Sequence, residues 1–441
     1  MSDNMFQNEG FNPAPATTMH IDLNSCFASI EQQANPLLRG KPLVVAAYTT
    51  PRGCILAVSR EAKKLGIKTG MRVAQGRALS PGLVVLPPDP EKYRFVNRKL
   101  TALLASYTPS LTVASIDEMV MDLVNTPILD QTIRANNNRA IQQYNHIPRD
   151  LVEVAMVDIA LEIKKRIKQN IGEWLTVSIG IAPNRYLAKL GSGLHKPDGL
   201  DIVAKQTIDQ VLSGLRLEDL VGIKEGYGGR LRRFGISTPM AMYRASVKTL
   251  VTAFSSIIGR DWWLWLHGWN SSGYFDQDTR GSIKSIGHSY ALPEPLVPGD
   301  ERLHRILAQL VHKIGRRLRF HKLHAYGVAV QCLLSPGDFW QRRSVGKVVL
   351  WTNNELYQRA RSILLQAPDR PVRILAVTSF GLRPDDRRQL DLFDGGEKRH
   401  LTEALDRIED RWGDFTITSG RMLGLEQKVL DRIAFGKILA D

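Results

Sequence analysis

Cysteine is scarce. Among 441 residues there are three, Cys26, Cys54 and Cys332. None stands in a CxxC pair, which argues against a disulfide framework and a cysteine zinc site and fits a reducing compartment. Long apolar runs are missing as well. The most suggestive one, Trp262-Trp263-Leu264-Trp265-Leu266, follows Arg260 and Asp261. It is far shorter than the roughly 20 residues that cross a bilayer, so it reads as a core helix. Residues 1–17 are polar and lack the apolar stretch of a secretory signal. A cytoplasmic protein with no membrane partner is expected. Acidic residues are in deficit: 44 Asp plus Glu against 59 Lys plus Arg leave a formal charge of +15. A soluble chain this basic usually meets a polyanion, most often nucleic acid. Disorder is excluded by composition, since 43% of the residues are hydrophobic. The length is material for about three domains.

Periodicity then places elements. Met19–Leu23, Leu43–Ala47, Cys54–Val58, Leu83–Leu86, Leu111–Ile116, Met119–Leu123 and Leu175–Ile181 read as strands. Helices are expected over Cys26–Gln33, Ser59–Leu65, Tyr93–Tyr107 and Leu151–Ile171. In the last of these, Val154, Val157, Leu161, Lys164 and Ile167 follow the 3.6 period. Asn184 is placed to cap a further helix. The Asn-, Gln- and Pro-rich stretch 125–150 reads as an insertion or long loop. Residues 200–270 read as mostly helical. Beyond a polar linker, the order from Ser285 to Phe380 is β-α-β-β-α-β. Alternation of strands and helices on this scale means an α/β or α+β first domain, and the fold class expected for the whole chain is α+β.

Three acidic residues stand out against apolar surroundings: Asp22 at the end of a strand, and Asp117-Glu118 between two strands. Adjacent strand residues point to opposite faces, so both reach one site only across a turn or bulge. Clustered carboxylates repel one another unless a cation intervenes, and hard oxygen ligands suit Mg²⁺ or Mn²⁺. Two such ions about 4 Å apart serve phosphoryl transfer. The alternative from spacing alone is an exposed Asp-Glu hairpin turn, with Asp22 as a helix cap.

Met19 to Glu31, MHIDLNSCFASIE, resembles the first motif of the Y-family (translesion) DNA polymerases. Ala114 to Met119, ASIDEM, resembles their S-I-D-E motif. LTVSIGIAPNRYLAK, ending at Lys189, is similar to the third palm segment, and GCILAVSREAKKLGIKTG, from Gly53, to the fingers motif, closest to the UmuC branch. Order and spacing match over roughly residues 18–380, and four ordered motifs are a specific signal.

The resemblance implies a right-hand polymerase: a flexible tail to residue 17, a ferredoxin-like catalytic palm from 18–33 and 93–196, and fingers from 34–92. A thumb with a helix-hairpin-helix would span 197–270, a linker 271–283 and a βαββαβ little finger 284–382. A tail with a clamp-binding motif would occupy 383–441. It implies an error-prone, SOS-type translesion enzyme that joins a deoxynucleoside triphosphate to a primer 3′-hydroxyl on template DNA with two Mg²⁺ ions, Mn²⁺ being the alternative metal. Asp22, Asp117, Glu118 and the Leu23 carbonyl would be the metal ligands. Phe27 would be the steric gate against a 2′-hydroxyl. Lys189, Lys63 and Arg60 would meet the triphosphate, although many relatives carry tyrosine where this chain has Arg60. Gly53, Cys54, Leu56 and Ala57 would roof the nascent base pair.

VGIKEGYGGRLRRFGI, from Val221, resembles the thumb hairpin, with Arg230 and Arg232 facing DNA and Lys224 where a glycine is usual. From 301 to 350 there are ten Lys or Arg against two acidic residues; Lys313, Arg316, Arg317 and Arg319 are expected to grip DNA phosphates. Leu303, Ile306, Leu310, Ile314 and Leu318 on the same helix would face the sheet. Gln389, Leu390, Leu392 and Phe393 match the peptide that docks bacterial polymerases on the sliding clamp. UmuC relatives also work with an accessory subunit and a recombinase filament. Leu401, Leu405, Ile408 and Trp412 form a stripe on a final helix. The rival readings are a catalytically silent, clamp-docking DNA-binding adaptor and a two-metal nuclease.

Overall fold

A computed structural model describes residues 10–144, 151–271, 283–385, 397–424 and 429. They fall into two compact units, one before and one after the stretch 272–282. Most of the expected linker and the whole of 389–393 lie outside the described residues.

The first unit opens with β1 (Thr18–Leu23), α1 (Cys26–Ala34), β2 (Leu43–Ala46), β3 (Ile55–Val58), α2 (Arg60–Lys64), α3 (Val73–Leu79) and β4 (Val84–Leu86). The strands β3-β2-β4 form a small sheet around Val44, Ile55, Val58 and Val73. The chain continues through α4 (Pro90–Ala105), β5 (Leu111–Val113), β6 (Glu118–Asp122), α5 (Pro127–Tyr144), α6 (Leu151–Asn170), β7 (Val177–Ala182), α7 (Arg185–Leu194) and β8 (Leu200–Ile202). These complete a five-stranded sheet of order β5-β6-β1-β7-β8. Its central strand β1 alternates apolar and polar residues yet is covered on both faces: Met19 and Ile21 are fully buried, and His20 between them is 1% exposed.

Three sequence expectations fail here for physical reasons. The stretch 125–150 is not simply a loop: α5 fills 127–144 and packs on α6. Pro127 at its first turn is a helix-start signal that the Asn-rich composition hid. In α6 the buried stripe is Ala155, Met156, Ile159, Ala160, Ile163 and Ile167, while Val154 and Leu161 face solvent. Small alanines let α6 approach closely, so the bulkier valine and leucine do not define its core face. Residues 10–17 are also not a free tail: Phe11 is buried, Asn12 N–H donates to the His267 carbonyl at 2.8 Å, and Trp269 Nε1 donates to the Gly10 carbonyl at 3.1 Å.

The first unit ends in short helices α8 (Ile208–Ser213), α9 (Glu225–Arg233), α10 (Pro239–Arg244), α11 (Val247–Phe254) and α12 (Ile258–Leu266). The tryptophan run is the core of this bundle, with Trp262 and Trp265 buried against Tyr186 of α7.

The second unit runs β9 (Ser285–Leu296), α13 (Glu301–Phe320), β10 (Leu323–Leu334), β11 (Phe339–Leu350), α14 (Asn353–Leu364), β12 (Val372–Phe380), β13 (Arg383–Pro384) and α15 (Glu397–Trp412). The main sheet order is β11-β10-β12-β9. Leu303, Ile306, Leu310, Ile314 and Leu318 of α13 are buried in its core, as their spacing predicts. Among the described residues no helix is long and apolar enough to cross a membrane.

Candidate active site

The site is built on the last residue pair of the central strand. Asp22 of β1 stands opposite Glu118 of β6 on one side and Ser178 of β7 on the other. Asp117 lies just before β6, in the bend that two adjacent acidic residues require. Ser115 closes that bend: its Oγ accepts from the N–H of Glu118 at 3.1 Å and donates to Asp117 Oδ1 at 2.5 Å. The Leu23 N–H donates to the Asp117 carbonyl at 2.9 Å, which fastens the bend to β1. The structure thus gathers Asp22, Leu23, Asp117 and Glu118 at one sheet end. Ser25, in the left-handed region at φ 52°, then turns the chain into α1.

Each carboxylate has its own compensation. Lys196 Nζ lies 2.5 Å from Asp22. Lys189 Nζ donates to Glu118 Oε2, and His20 Nε2 lies 3.6 Å from the same oxygen. Burial works against ionising Glu118, yet the His20 hydrogen bond and charge, followed by the Lys189 ammonium, outweigh it and hold its pKa at about 2. Asp117 goes the other way. Burial pushes its pKa up, the Ser115 hydrogen bond partly offsets this, and the negative fields of Asp22 and Glu118 add to the rise. Asp117 therefore senses both of the other carboxylates. Cys26, directly behind them, has its thiol pushed well up, first by burial and then by Asp117 and Asp22; it is a core residue and no nucleophile.

Among the described residues no three His, Cys, Asp or Glu side chains form a ready cage for an ion. The donor set nonetheless fits a hard divalent cation: mutually repelling carboxylates, a strand-end carbonyl and ammonium groups held against two of the carboxylates. Lys196 was not singled out from the sequence. The run Lys196-Pro197-Asp198-Gly199 signals a turn, but only the fold shows that this turn hangs over Asp22.

The remaining predicted residues separate. Phe27, in the first turn of α1, is 1% exposed and stacks flat on Tyr93 with ring centroids 4.3 Å apart. Tyr93 is itself fixed, since its hydroxyl donates to Glu31 at 2.8 Å and Lys92 holds the other Glu31 oxygen at 2.6 Å. Lys63 sits near enough to Asp22, Lys196 and Arg60 to feel all three; burial, then Lys196 and Arg60, lower its pKa against the opposing pull of Asp22. Arg60 turns instead to Thr176 Oγ1 at 3.2 Å and the Trp174 carbonyl at 3.4 Å.

In the helical part, Gly222 takes the positive φ of 97°, while Lys224 is extended at φ −123°. The lysine in the glycine's place is therefore unstrained. Arg232 pairs with Glu218, and Arg230 reaches the Phe254 carbonyl at 3.4 Å.

Side chains of α13 expected to grip phosphates meet acidic partners on and just after α15. Arg319 is held by Asp406 at 2.5 and 2.8 Å, Arg316 by Glu409, Asp410 and Asp414, and Lys313 by Asp414 at 3.4 Å. Arg317 lies 3.4 Å from the Gly287 carbonyl. The helix α15 docks through its acidic face because α13 is basic there, and its apolar stripe turns outward, with Leu401 and Trp412 more than 60% exposed. Exposed basic side chains lie instead on β11, at Arg342, Arg343 and Lys347.

Comparison with known proteins bears directly on this arrangement. A profile of the impB/mucB/samB family matches residues 21–193, and one of the impB/mucB/samB family C-terminal domain matches 283–392. A protein of Pelotomaculum thermopropionicum named DNA polymerase IV is 31% identical, over 90% of this chain and 92% of its own. One of the same name from Moorella thermoacetica is 31% identical over 90% and 93%. DNA polymerase IV 1 of Bacillus subtilis is 27% identical over 95% and 96%. A solved Y-family DNA polymerase chimera superposes with a TM-score of 0.68 at 22% identity, covering 83% of this chain and 99% of its own, so the right-hand fold is shared. The relatives' names do not support the UmuC branch expected from the fingers motif. The chain belongs to the impB/mucB/samB family of Y-family DNA polymerases and is a DNA-directed DNA polymerase.

Proposed function

We propose that this polymerase extends a primer 3′-hydroxyl past damaged template bases, with Asp22, Asp117 and Glu118 as its catalytic carboxylates, in an SOS-type damage response. The observation that carries the reading is the convergence of these carboxylates at the end of β1, ringed by Lys189, Lys196 and Lys63. Asp22, the Leu23 carbonyl, Asp117 and Glu118 would hold two Mg²⁺ ions, which when bound activate the attacking hydroxyl and offset the charge of the transferring phosphate. The ammonium groups of Lys196 and Lys189 are on hand for a triphosphate held at the same carboxylates, and Lys63 is near by. Phe27 would exclude a 2′-hydroxyl, its ring braced by Tyr93. A roof of Gly53, Cys54, Leu56 and Ala57 is small and would check base-pair shape loosely, which favours lesion tolerance over fidelity.

In this reading the five-stranded sheet is the palm, the β3-β2-β4 sheet the fingers, the helices from α8 to α12 the thumb and the second unit the little finger. DNA phosphates would meet the turn before α9, with Arg230 and Arg232 close by, and the open face of β11 with Arg343 and Lys347. Residues 389–393 would dock on the sliding clamp; an accessory subunit or recombinase filament would be a further partner.

The test is primer extension by the purified chain with Mg²⁺ on undamaged and abasic templates, alongside Asp117→Ala. Extension on both templates, lost in the variant, is expected. Extension that survives Asp117→Ala refutes the site. Absence of extension with clamp present would favour the silent adaptor.

A further inference from the structure

We infer that Asn24 is a positioning residue that sets Lys196 beside Asp22 and anchors the hydroxyl that holds Arg60; this deepens the nucleotide-binding reading above and rests on it. Asn24 follows the metal-ligand pair Asp22-Leu23 but turns away from it into the protein, where it is 3% exposed. Its amide is almost fully used. Oδ1 accepts two hydrogen bonds, from the Asp198 N–H at 2.8 Å and from Thr176 Oγ1 at 3.1 Å. Nδ2 donates to Ser178 Oγ at 2.9 Å, and that oxygen also accepts from the Gly199 N–H at 3.3 Å.

Those bonds lead to two cations. Asp198 and Gly199 belong to the turn that begins at Lys196, whose ammonium lies on Asp22. Lys164 holds the other side of the turn, donating to the Asp198 and Gly199 carbonyls at 2.5 and 3.1 Å. The turn is thus clamped between a buried amide and a half-buried lysine, and Lys196 is the arm it extends towards Asp22. In the other direction Thr176 Oγ1 accepts from Arg60 at 3.2 Å. One side chain therefore fixes both the turn that carries Lys196 and the hydroxyl that holds Arg60. A buried amide suits this task because it accepts and donates without adding charge beside three carboxylates. A misplacement of about 1 Å in such a positioning group costs roughly a hundredfold in a tuned site.

The experiment measures deoxynucleotide affinity in a ternary complex on a dideoxy-terminated primer–template, so that no chemistry intervenes. Primer–template affinity without nucleotide is measured beside it. Asn24→Ala is expected to weaken nucleotide binding roughly ten- to a hundredfold and to leave DNA affinity unchanged. Asn24→Asp keeps the acceptor, and the Ser178 hydroxyl is able to reverse and donate, so most of the affinity should return. In a Lys196→Ala background, Asn24→Ala should cost clearly less than in the parent protein, because one of its two arms is already gone. Ser178→Ala repeats the test if Asn24→Ala does not fold. Additive losses in the double variant, or unchanged nucleotide affinity in Asn24→Ala, overturn the inference while leaving the nucleotide site standing. Unchanged affinity in Lys196→Ala alone overturns the nucleotide reading itself, and the inference with it.

Discussion

Gly180→Ala adds one methyl group at the point where β7 and α7 press together. A Cβ at Gly180 would lie 2.0 Å from the Ala188 carbonyl oxygen and 2.3 Å from the Ser192 N–H nitrogen. Both are backbone atoms of a helix, so no side-chain rotation relieves the clash. Ordinary van der Waals separation begins near 3.4 Å. The strand and the helix must therefore part by more than about 1 Å. Overpacking of this kind costs about 1–3 kcal/mol, which for a unit of this size is a fall of about 2–10 °C in the first unit's Tm.

The displaced helix carries Lys189, which pairs with Glu118, and Ser192, whose hydroxyl lies 3.0 Å from His20 Nδ1. Primer extension should consequently fall by more than the stability loss explains when assayed well below the new Tm. Gly193→Ala is the control, since a Cβ there meets nothing within 4 Å on the same helix. It should stabilise by up to about 1 kcal/mol through helix propensity. Calorimetry and single-nucleotide insertion on the two variants decide the matter. A Gly180→Ala protein with unchanged Tm and activity would falsify the close-packing account of how α7 reaches the site.

Three further predictions concern single side chains. Phe27→Ala removes a ring stacked on Tyr93; incorporation of ribonucleotides relative to deoxynucleotides should rise, at a stability cost of about 3–5 kcal/mol, and unchanged sugar discrimination would rule the gate out. His267 is stacked between Tyr243 and Trp263, and burial lowers its pKa against the opposing Trp263 carbonyl bond. A depressed folded pKa means that the unfolded chain takes up the proton first, so the first unit should lose stability as pH falls below about 6.5; His267→Phe should flatten that part of the Tm–pH curve, and a curve of the same slope would refute the assignment. Glu409 is 2% exposed and serves His312 Nε2 at 2.8 Å, Arg316 Nε at 3.4 Å and the Phe415 N–H at 3.2 Å. Glu409→Ala should destabilise the second unit by about 3–5 kcal/mol, whereas Leu401→Ser and Trp412→Ser should stay within about 0.5 kcal/mol; the reverse order in urea melts would show that α15 docks through its apolar stripe after all.

Much of the catalytic sheet was legible because its residues do a single thing. Met19, Ile21 and Leu23 alternate with His20 and Asp22 in a strand buried on both faces, and a polar residue there needs a reason. Asp117-Glu118 demanded a bend, and Ser115 supplies it. Lys196 was not legible, because it reaches Asp22 through a turn whose placement depends on Asn24, Ser178 and Lys164, all distant in sequence. The core face of α6 was misread because alanine carries little hydrophobic signal, yet Ala155 and Ala160 are fully buried on it. The helix α5 was missed because Asn and Gln lower the apolar periodicity without breaking a helix anchored by Leu129 and by Asn136, which donates to Asp158 at 2.8 Å.

The basic charge teaches a different lesson. Ten Lys or Arg between 301 and 350 point to a polyanion when counted along the chain. The fold assigns part of that charge inward. Lys313, Arg316 and Arg319 are held by Asp406, Glu409, Asp410 and Asp414, which follow some ninety residues later on and just after α15. A guanidinium already bonded to carboxylates gains little from a phosphate, since it must first give up its partners. On the proposed reading, nucleic acid is met by charges left at the surface, such as the exposed Arg343 and Lys347 of β11. Charge reversal at those two positions should weaken primer–template binding and reduce its salt slope by about one unit for each phosphate no longer neutralised. The same reversal at Arg316 should instead release α15 and register as a loss of Tm. If primer–template affinity falls equally for Arg316 and Arg343, the acidic helix does not shield α13, and the inward assignment of its charge is wrong.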